Sequence, residues 1–149
     1  LIKPYKIFIK DGIKIGVFGL GIELVNLVNP NLYKETKYLD PIEISKDISR
    51  DLKEKEACDL IICLSHLGYH YKNSDKISDL KLAAATKDID LIIGGHTHTF
   101  LTKPTLVKNL TNENVLVNQV GAYGLNLGRV DFYFNEQNEK QTSDKNIII

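Results

Sequence analysis

The stretches DLIICLSHLG at residues 59–68 and DLIIGGHTHT at residues 90–99 decide the fold of this chain. In each stretch an acidic residue precedes a short apolar run, and histidine follows the run: His66 in the first, His96 and His98 in the second. A continuous apolar run of this length between polar residues is typical of a strand that is buried on both faces. The sequence therefore predicts two buried strands that each end close to histidine.

The segment between these strands is predicted to be a helix. Ser78 can cap its first turn, and Asp79 follows at the end of the helix that attracts negative charge. The helix is expected to run to about Lys87. Its apolar face is predicted to comprise Leu80, Ala83 and Ala84. Strand, helix and strand then form a βαβ unit, whose right-handed crossover makes the two strands parallel.

The histidines that follow the two strands form a candidate metal site. Parallel strands bring their carboxyl ends to one edge of a sheet, where ligands of open α/β sheets bind, so His66 is expected near His96 and His98. Residues two apart in an extended segment point to one side, so His96 and His98 are predicted to face the same site. Gly94 and Gly95 would leave room above the strand. Three neutral imidazoles suit zinc, manganese, iron or a similar ion.

The N-terminal segments extend the predicted sheet. Residues 6–10 and 13–18 are β-rich and are joined by Asp11-Gly12, a link that favours a tight hairpin. Residues 25–38 show no clear period and are predicted to be a loop. A helix is predicted from about residue 42 to residue 56, with Pro41 near its first turn. Its apolar stripe is predicted to comprise Ile44, Ile48 and Leu52.

The C-terminal part is predicted to be β-rich. Residues 115–120 and 127–134 are predicted strands, and Gly121 and Gly124 are predicted to lie in turns. No linker or repeat divides the chain. The pattern as a whole predicts one α/β domain in which helices pack against a mixed sheet that contains a βαβ unit.

Composition excludes several classes of protein. Hydrophobic residues make up 43% and charged residues 26% of the 149 residues, which is typical of a globular domain. Lys plus Arg and Asp plus Glu are equal at 19 each, so charge gives no reason to expect a nucleic acid or membrane partner. No apolar run is long enough for a membrane span. Cys58 and Cys63 would lie roughly 16 Å apart along a strand, too far for a disulfide, and Cys63 is predicted to be a small buried residue.

Several segments resemble one enzyme family. Ser65-His66-Leu67-Gly68 and Gly95-His96-Thr97-His98 are similar to the last two motifs of the calcineurin-like metallophosphoesterases. Four segments resemble, in this order, the 5′-nucleotidase and bifunctional metallophosphatase branch of that family. They are KIGVFGLG, CDLIICLSHLGY, DLIIGGHTHT and NQVGAYGLNLGRVDF. The resemblance covers nearly the whole chain.

The resemblance implies a β-sandwich flanked by helices and a centre of two divalent metal ions. His66 and His96 would bind one ion and His98 the other. The earlier motifs of the family carry an Asp and a His, a bridging Asp, and an Asn-His pair whose His is the catalytic acid. The chain has no D-x-H or G-N-H sequence and no Met. Residues 1–149 are therefore expected to be the C-terminal half of a catalytic domain, with the catalytic His and the other half preceding Leu1.

The activity implied by the resemblance is hydrolysis of phosphate esters, foremost of nucleotides, by a longer enzyme exported to the periplasm or the cell surface. Two metals about 3.5–4 Å apart would bind the phosphate and activate a hydroxide for in-line attack. A cyclic-nucleotide phosphodiesterase or another ester hydrolase on the same centre is an alternative. A noncatalytic metal-binding or assembly module is an alternative of another class. The isolated chain is expected to be weakly folded, to bind metal weakly and to be inactive.

A few other residues are candidates for the border of the site. Asn118, Gln119 and residues 121–124 follow a predicted strand and could border the site, although a structural turn is the favoured interpretation. Of these, Asn118 is the candidate substrate contact. His70 is predicted to be an exposed loop residue. Arg129 could bind phosphate, but a surface ion pair with a neighbouring strand is the favoured prediction.

Overall fold

The computed structural model describes residues 2–72, 74–136 and 140–148. In chain order the elements are β1 (Tyr5–Lys10), β2 (Ile13–Leu20), α1 (Pro30–Tyr33), α2 (Pro41–Arg50), a π-helical segment (Asp51–Lys55), β3 (Leu60–Ser65), α3 (Asp79–Ala85), β4 (Leu91–Ile93), β5 (Thr105–Lys108), β6 (Asn114–Asn118), β7 (Asn126–Phe134) and β8 (Lys140–Ile148). Six strands form one sheet in the order β1-β2-β3-β4-β6-β5, and β7 pairs with β8 in a second sheet. The predicted α/β fold with a mixed sheet is confirmed.

The N-terminal hairpin forms as predicted. β1 and β2 pair antiparallel, with Tyr5 opposite Phe18 and Lys10 opposite Ile13. Both residues of the link have positive φ, 51° at Asp11 and 85° at Gly12. A two-residue hairpin turn of type I′ requires this conformation, which Asp-Gly adopts at low cost.

The βαβ unit is also present. β3 pairs in parallel with β2 on one side and with β4 on the other, and β4 pairs in parallel with β6. α3 lies between β3 and β4 in the chain, and the Ser78 hydroxyl accepts a hydrogen bond from the Lys81 amide at 3.4 Å. The carboxyl ends of four adjacent strands therefore lie at one edge of the sheet.

The predicted face and end of α3 need correction. The helix ends at Ala85, not near Lys87. Leu82 and Ala83 are fully buried, Leu80 is partly buried, and Ala84 is exposed. The buried face comprises Asp79, Leu82 and Ala83, each one residue earlier than predicted. The hydrogen bond from Ser65 holds Asp79 on the buried side of the first turn.

The predicted helix at residues 42–56 is present as α2 followed by the π-helical segment. The Asp40 carboxylate caps it and accepts hydrogen bonds from the amides of Ile42 at 2.8 Å and Glu43 at 3.0 Å. The predicted stripe was wrong at Ile44. The buried face comprises Pro41, Ser45, Ser49 and Leu52. The Ser49 hydroxyl donates to the Lys87 carbonyl, just beyond α3, at 3.2 Å, so this small side chain faces the neighbouring helix. The side chain of Leu52, in the π-helical segment, packs against Gly16.

The main core lies between the six-stranded sheet and the helices. The core members that are at most 1% exposed include Leu52, Ile61, Leu82, Ile92, Val115 and Val117. The other face of the sheet is more open, because Leu64 is 48% and Ile93 is 46% exposed. The prediction that these strands are buried on both faces was therefore wrong at their last residues. β7 covers only part of that face, over a cavity of about 350 Å³ whose walls include Ile62, Leu91 and Phe132.

Some elements were not predicted from the sequence. α1 is a single helical turn inside the predicted loop at residues 25–38, and the strands β5 and β8 were missed. Both cysteines are free and buried; burial was predicted for Cys63, and Cys58 is buried as well. Among the described residues no helix combines the length and the apolar character needed to cross a lipid bilayer.

Candidate metal centre

His66 is presented by the end of β3. Its amide donates a hydrogen bond to the Leu20 carbonyl at 2.9 Å, which continues the pairing of β3 with β2 by one residue. The Ser65 hydroxyl, one residue earlier, donates to the Asp79 carboxylate at 2.5 Å and accepts from the Leu67 amide at 3.1 Å. The backbone on both sides of His66 is thus fixed, while the His66 side chain is exposed.

His96 and His98 lie in a tight loop after β4, and this loop is not extended. His96 has φ 71° and His98 has φ 51°, and the Thr97 amide donates to the Gly95 carbonyl at 2.9 Å. This hydrogen bond around a residue of positive φ is that of the γ-turn with a left-handed centre, which is rare and strained. Each such residue other than glycine costs about 1–3 kcal/mol and persists where the surroundings impose it, often at functional sites.

The prediction that the H-x-H segment is extended was therefore wrong, and the prediction that both imidazoles face one site stays a prediction. The physical reason is that β4 ends at Ile93, and the chain then turns tightly at His96. His66 and His96 are brought together: their ring centroids are 5.3 Å apart, with 66° between the ring planes. The His98 ring instead packs edge-on against Tyr123, with centroids 5.7 Å apart.

Electrostatics favour a neutral imidazole at His96. The pKa of His96 is lowered first by burial, then by the Lys76 ammonium, and then by His66 and His98. Neutral imidazole is the form that binds metal. Within residues 2–72, 74–136 and 140–148, however, no group of three or more His, Cys, Asp or Glu side chains could hold a metal ion. The three-histidine site therefore stays a prediction, of which the structure contains the His66–His96 pair.

Two glycines allow the close packing of this edge, as expected. A Cβ atom on Gly95 would lie 3.1 Å from the His66 Nδ1 atom, so the absence of a side chain there lets the imidazole lie over the backbone. A Cβ atom on Gly94 would overlap the Asp79 carboxylate. Both positions tolerate only glycine without a shift of neighbouring groups.

Asp79 has a role that the sequence did not indicate. It was predicted to be a helix-end acid, but its side chain is fully buried beneath Gly94. One carboxylate oxygen accepts from Ser65, and the other has no hydrogen-bond partner among the described residues. Burial raises the pKa of Asp79 to about 6, and the Ser65 hydrogen bond lowers it in part. Nothing in the local sequence Ser-Asp distinguishes a buried acid from an exposed one.

Gln119 holds the loop that carries His96 and His98. Its side chain is 1% exposed. Its Nε2 donates to the Gly95 carbonyl at 2.6 Å, and its Oε1 accepts from the Thr97 hydroxyl at 3.0 Å and from the Thr99 amide. The prediction of a structural turn residue beside the site understated this role. The available signal was an amide side chain directly after the buried apolar strand β6.

The remaining candidates lie around this centre. Asn118 is buried at the end of β6 and lines the cavity under β7, so its predicted contact with substrate stays a prediction. His70 is exposed, as predicted. Arg129 pairs with Asp131 on its own strand at 2.9 Å, since residues two apart share a face. The side chains of β8 that face Arg129 lie outside those that the structure describes, so the predicted pair between strands stays a prediction.

Comparison with known proteins gives the family. The family model described as calcineurin-like phosphoesterase matches residues 3–100. The chain is 38% identical over 149 residues to the trifunctional nucleotide phosphoesterase protein YfkN of Bacillus subtilis, covering 99% of this chain and 9% of that protein. It is 34% identical over 154 residues to a 5′-nucleotidase of Vibrio cholerae, covering 90% of this chain and 28% of that protein.

Solved structures agree with these relatives. The Haemophilus influenzae NAD nucleotidase matches with a TM-score of 0.76 at 26% identity, over 97% of this chain and 30% of that chain. The 5′-nucleotidase precursor of Thermus thermophilus matches with a TM-score of 0.76 at 27% identity, over 98% and 30%. The chain thus spans less than a third of the length of these relatives. On the match to residues 3–100 and these identities, the chain belongs to the calcineurin-like phosphoesterase family.

Proposed function

We propose that this chain supplies His66, His96 and His98 to the metal centre of an enzyme that hydrolyses phosphate esters of nucleotides. The observation that carries the proposal is the contact between the His66 and His96 rings, held at the ends of adjacent parallel strands. The names of the related proteins, a nucleotide phosphoesterase and a 5′-nucleotidase, support the substrate class. Membership of the phosphoesterase family supports the reaction.

The donor chemistry fits a transition-metal ion. His66 and His96 are adjacent imidazoles, and the lowered pKa of His96 favours the neutral form of its ring. Such nitrogens suit zinc, manganese or iron. His98, beside Tyr123, would contribute to a second ion. When bound, divalent ions of this kind stabilise the negative charge that develops on the phosphoryl oxygens.

The chain's own residues act mainly by orientation. Ser65 and its hydrogen bonds fix the backbone beside His66, and Gly95 lets that imidazole lie close to the second strand. Lys76 lies near enough to affect His96, and its ammonium adds positive charge where a phosphate would approach. The remaining metal ligands and the catalytic acid belong, on this proposal, to the other half of the same domain.

The complete enzyme is proposed to be longer than residues 1–149 and to act in the periplasm or at the cell surface. The relatives are more than three times the length of the matched region, which supports the first statement. The second rests on the resemblance to the 5′-nucleotidase branch alone. A phosphodiesterase activity on the same centre is the second candidate, since one relative is named a trifunctional nucleotide phosphoesterase.

The test uses the protein expressed from its complete gene. Phosphate release from adenosine monophosphate is measured with added manganese or zinc, and a phosphate diester is assayed in parallel. We expect metal-dependent release and a loss of about 100-fold or more in His66→Ala and in His96→Ala, because each removes a metal ligand. The matched control is His70→Ala, an exposed histidine on the loop after β3, which should keep wild-type activity. Full activity without metal, or in both ligand variants, would refute the proposal.

A further inference from the structure

We propose that Gln119 is a positioning residue of the metal centre, whose side-chain amide sets the backbone that presents His96 and His98. The inference rests on the proposed function, because it assigns a residue that orients the proposed ligands. Gln119 itself is not a ligand. It acts on groups that flank the two histidines in the chain.

The hydrogen bonds of Gln119 extend along the whole loop from Gly95 to Thr99. Nε2 donates to the carbonyl of Gly95, one residue before His96. Oε1 accepts from the amide of Thr99, one residue after His98, and from the hydroxyl of Thr97 between them. One amide therefore contacts the start, the middle and the end of the five-residue loop. The loop cannot shift relative to Gln119 without breaking at least one of these bonds.

Gln119 is itself fixed to the sheet. It directly follows β6, and its carbonyl accepts a hydrogen bond from the Leu101 amide at 3.1 Å. The Asn118 carbonyl, one residue earlier, accepts from the Gly94 amide at 2.8 Å. With its side chain 1% exposed, water has little access to compete for these bonds. A side chain held this way can keep the loop in a fixed position relative to β6.

The strain of the loop explains why such a residue is needed. His96 and His98 both have left-handed φ, which residues other than glycine adopt only when neighbouring groups impose it. The γ-turn bond from Thr97 to Gly95 is a single local contact. The Gln119 amide adds the nonlocal contacts on either side of each histidine. Without them we expect the loop to relax toward unstrained conformations that direct the imidazoles elsewhere.

Thr97 connects the same hydrogen-bond network to the loop that follows β3. Its hydroxyl oxygen accepts a hydrogen bond from the Tyr69 amide at 2.9 Å. Tyr69 lies in the loop that begins at His66, so Thr97 ties the two histidine loops to each other and to Gln119. Loss of either side chain should therefore affect the relative placement of His66 and His96. Groups that orient metal ligands in this way typically contribute a factor of 10–100 in metal affinity.

The experiment measures metal affinity in the protein expressed from its complete gene, by competition of zinc or manganese with a chromophoric chelator. Gln119→Met keeps the length of the side chain and removes its hydrogen bonds. We expect its metal dissociation constant to rise about 10–100-fold. The matched control is Gln141→Met, the same change at an exposed position of β8, which should leave the constant unchanged. Circular dichroism and the thermal midpoint show whether each variant is folded.

A second pair of variants applies if Gln119→Met does not fold. Thr97→Val removes the hydroxyl that joins the network, whereas Thr97→Ser keeps it. Weaker metal binding in the valine variant, with near wild-type binding in the serine variant, supports the inference. Unchanged affinity in folded Gln119→Met, or in Thr97→Val, overturns it and leaves the proposed function intact. If the wild-type protein binds no metal, both the proposed function and the proposed role of Gln119 are wrong.

Discussion

At Asp79, burial and ionisation oppose each other. The carboxyl is fully buried beneath Gly94, and only one of its oxygens accepts a hydrogen bond among the described residues. Its pKa is about 6, compared with an ordinary value of 3.8, because burial disfavours the charged form. The folded protein therefore retains a proton between about pH 4 and pH 6 that the unfolded chain has released. The stability contributed by this proton is complete below about pH 4 and is lost as the pH rises through about 6.

Asp79→Asn should remove this dependence on pH. The neutral amide has nearly the same shape as the carboxyl group and no charge to bury. The free energy of opening of the variant should therefore increase relative to that of wild type as the pH rises from 4 to 7. The shift in pKa corresponds to a difference on the order of 3 kcal/mol. Hydrogen exchange of β3 and β4 amides, corrected for intrinsic rates, measures it. Asp75→Asn, an exposed acid on the preceding loop, is the control. Parallel pH profiles for wild type and Asp79→Asn would show that Asp79 does not titrate in this range.

The candidate ligands could be predicted from the sequence, but their geometry could not. His66, His96 and His98 were found because each follows a recognisable apolar run. The loop with the left-handed turn at His96 forms hydrogen bonds with Gln119, which is distant in sequence. The burial of Asp79 likewise depends on Gly94 and Ser65. Such nonlocal contacts leave no periodic pattern in the sequence.

The helix α3 connects the core to the edge of the sheet at which the histidines lie. Leu82 is fully buried in this helix, between the sheet and α2. Leu82→Ala should leave a cavity and lower the free energy of opening by about 2–5 kcal/mol. The measurement is hydrogen exchange of α3, β3 and β4 in the protein expressed from its complete gene.

The control for Leu82→Ala is Leu110→Ala, because Leu110 is 63% exposed in the loop between β5 and β6. That substitution should change the free energy by no more than about 0.5 kcal/mol. Equal effects of the two substitutions would contradict the assignment of Leu82 to the core.

The elements that the sequence predicted correctly have strong local signals. The hairpin has Asp-Gly, α3 has its capping serine, and β3 and β4 have apolar runs. β8 reads KQTSDKNII and is rich in polar residues that strands usually disfavour, so its pairing with β7 decides its structure. The rotation of α2 was predicted wrongly, with Ile44 on the buried face. Ser45 and Ser49 are buried instead, and a pattern of hydrophobic residues does not take small polar residues into account.

At the scale of the whole molecule, the open side of the main sheet is its most distinctive surface. Phe8, Leu64 and Ile93 are all between 46% and 48% exposed on the strands of this sheet. An apolar face of this kind is expected to be covered in a stable protein. The family relationship and the length of the relatives support the proposal that the other half of the domain covers it.

The isolated 149-residue chain should therefore be weakly folded and inactive. We expect a broad thermal transition, binding of a hydrophobic dye, and no measurable phosphate release from adenosine monophosphate. The protein expressed from its complete gene is the reference in each assay. A sharp cooperative transition of the monomeric chain, or robust release that His96→Ala removes, would show that the chain is sufficient by itself.

The central claim is that His66 and His96 bind one metal ion. The most direct measurement is a crystal structure of the complete protein with zinc or manganese, with the metal located by anomalous scattering. We expect a peak about 2.0–2.2 Å from an imidazole nitrogen of both His66 and His96. We also expect a second peak about 3.5–4 Å from the first, bound by His98. Metal bound only elsewhere, with the His66 and His96 nitrogens free of it, would show that these histidines are not metal ligands.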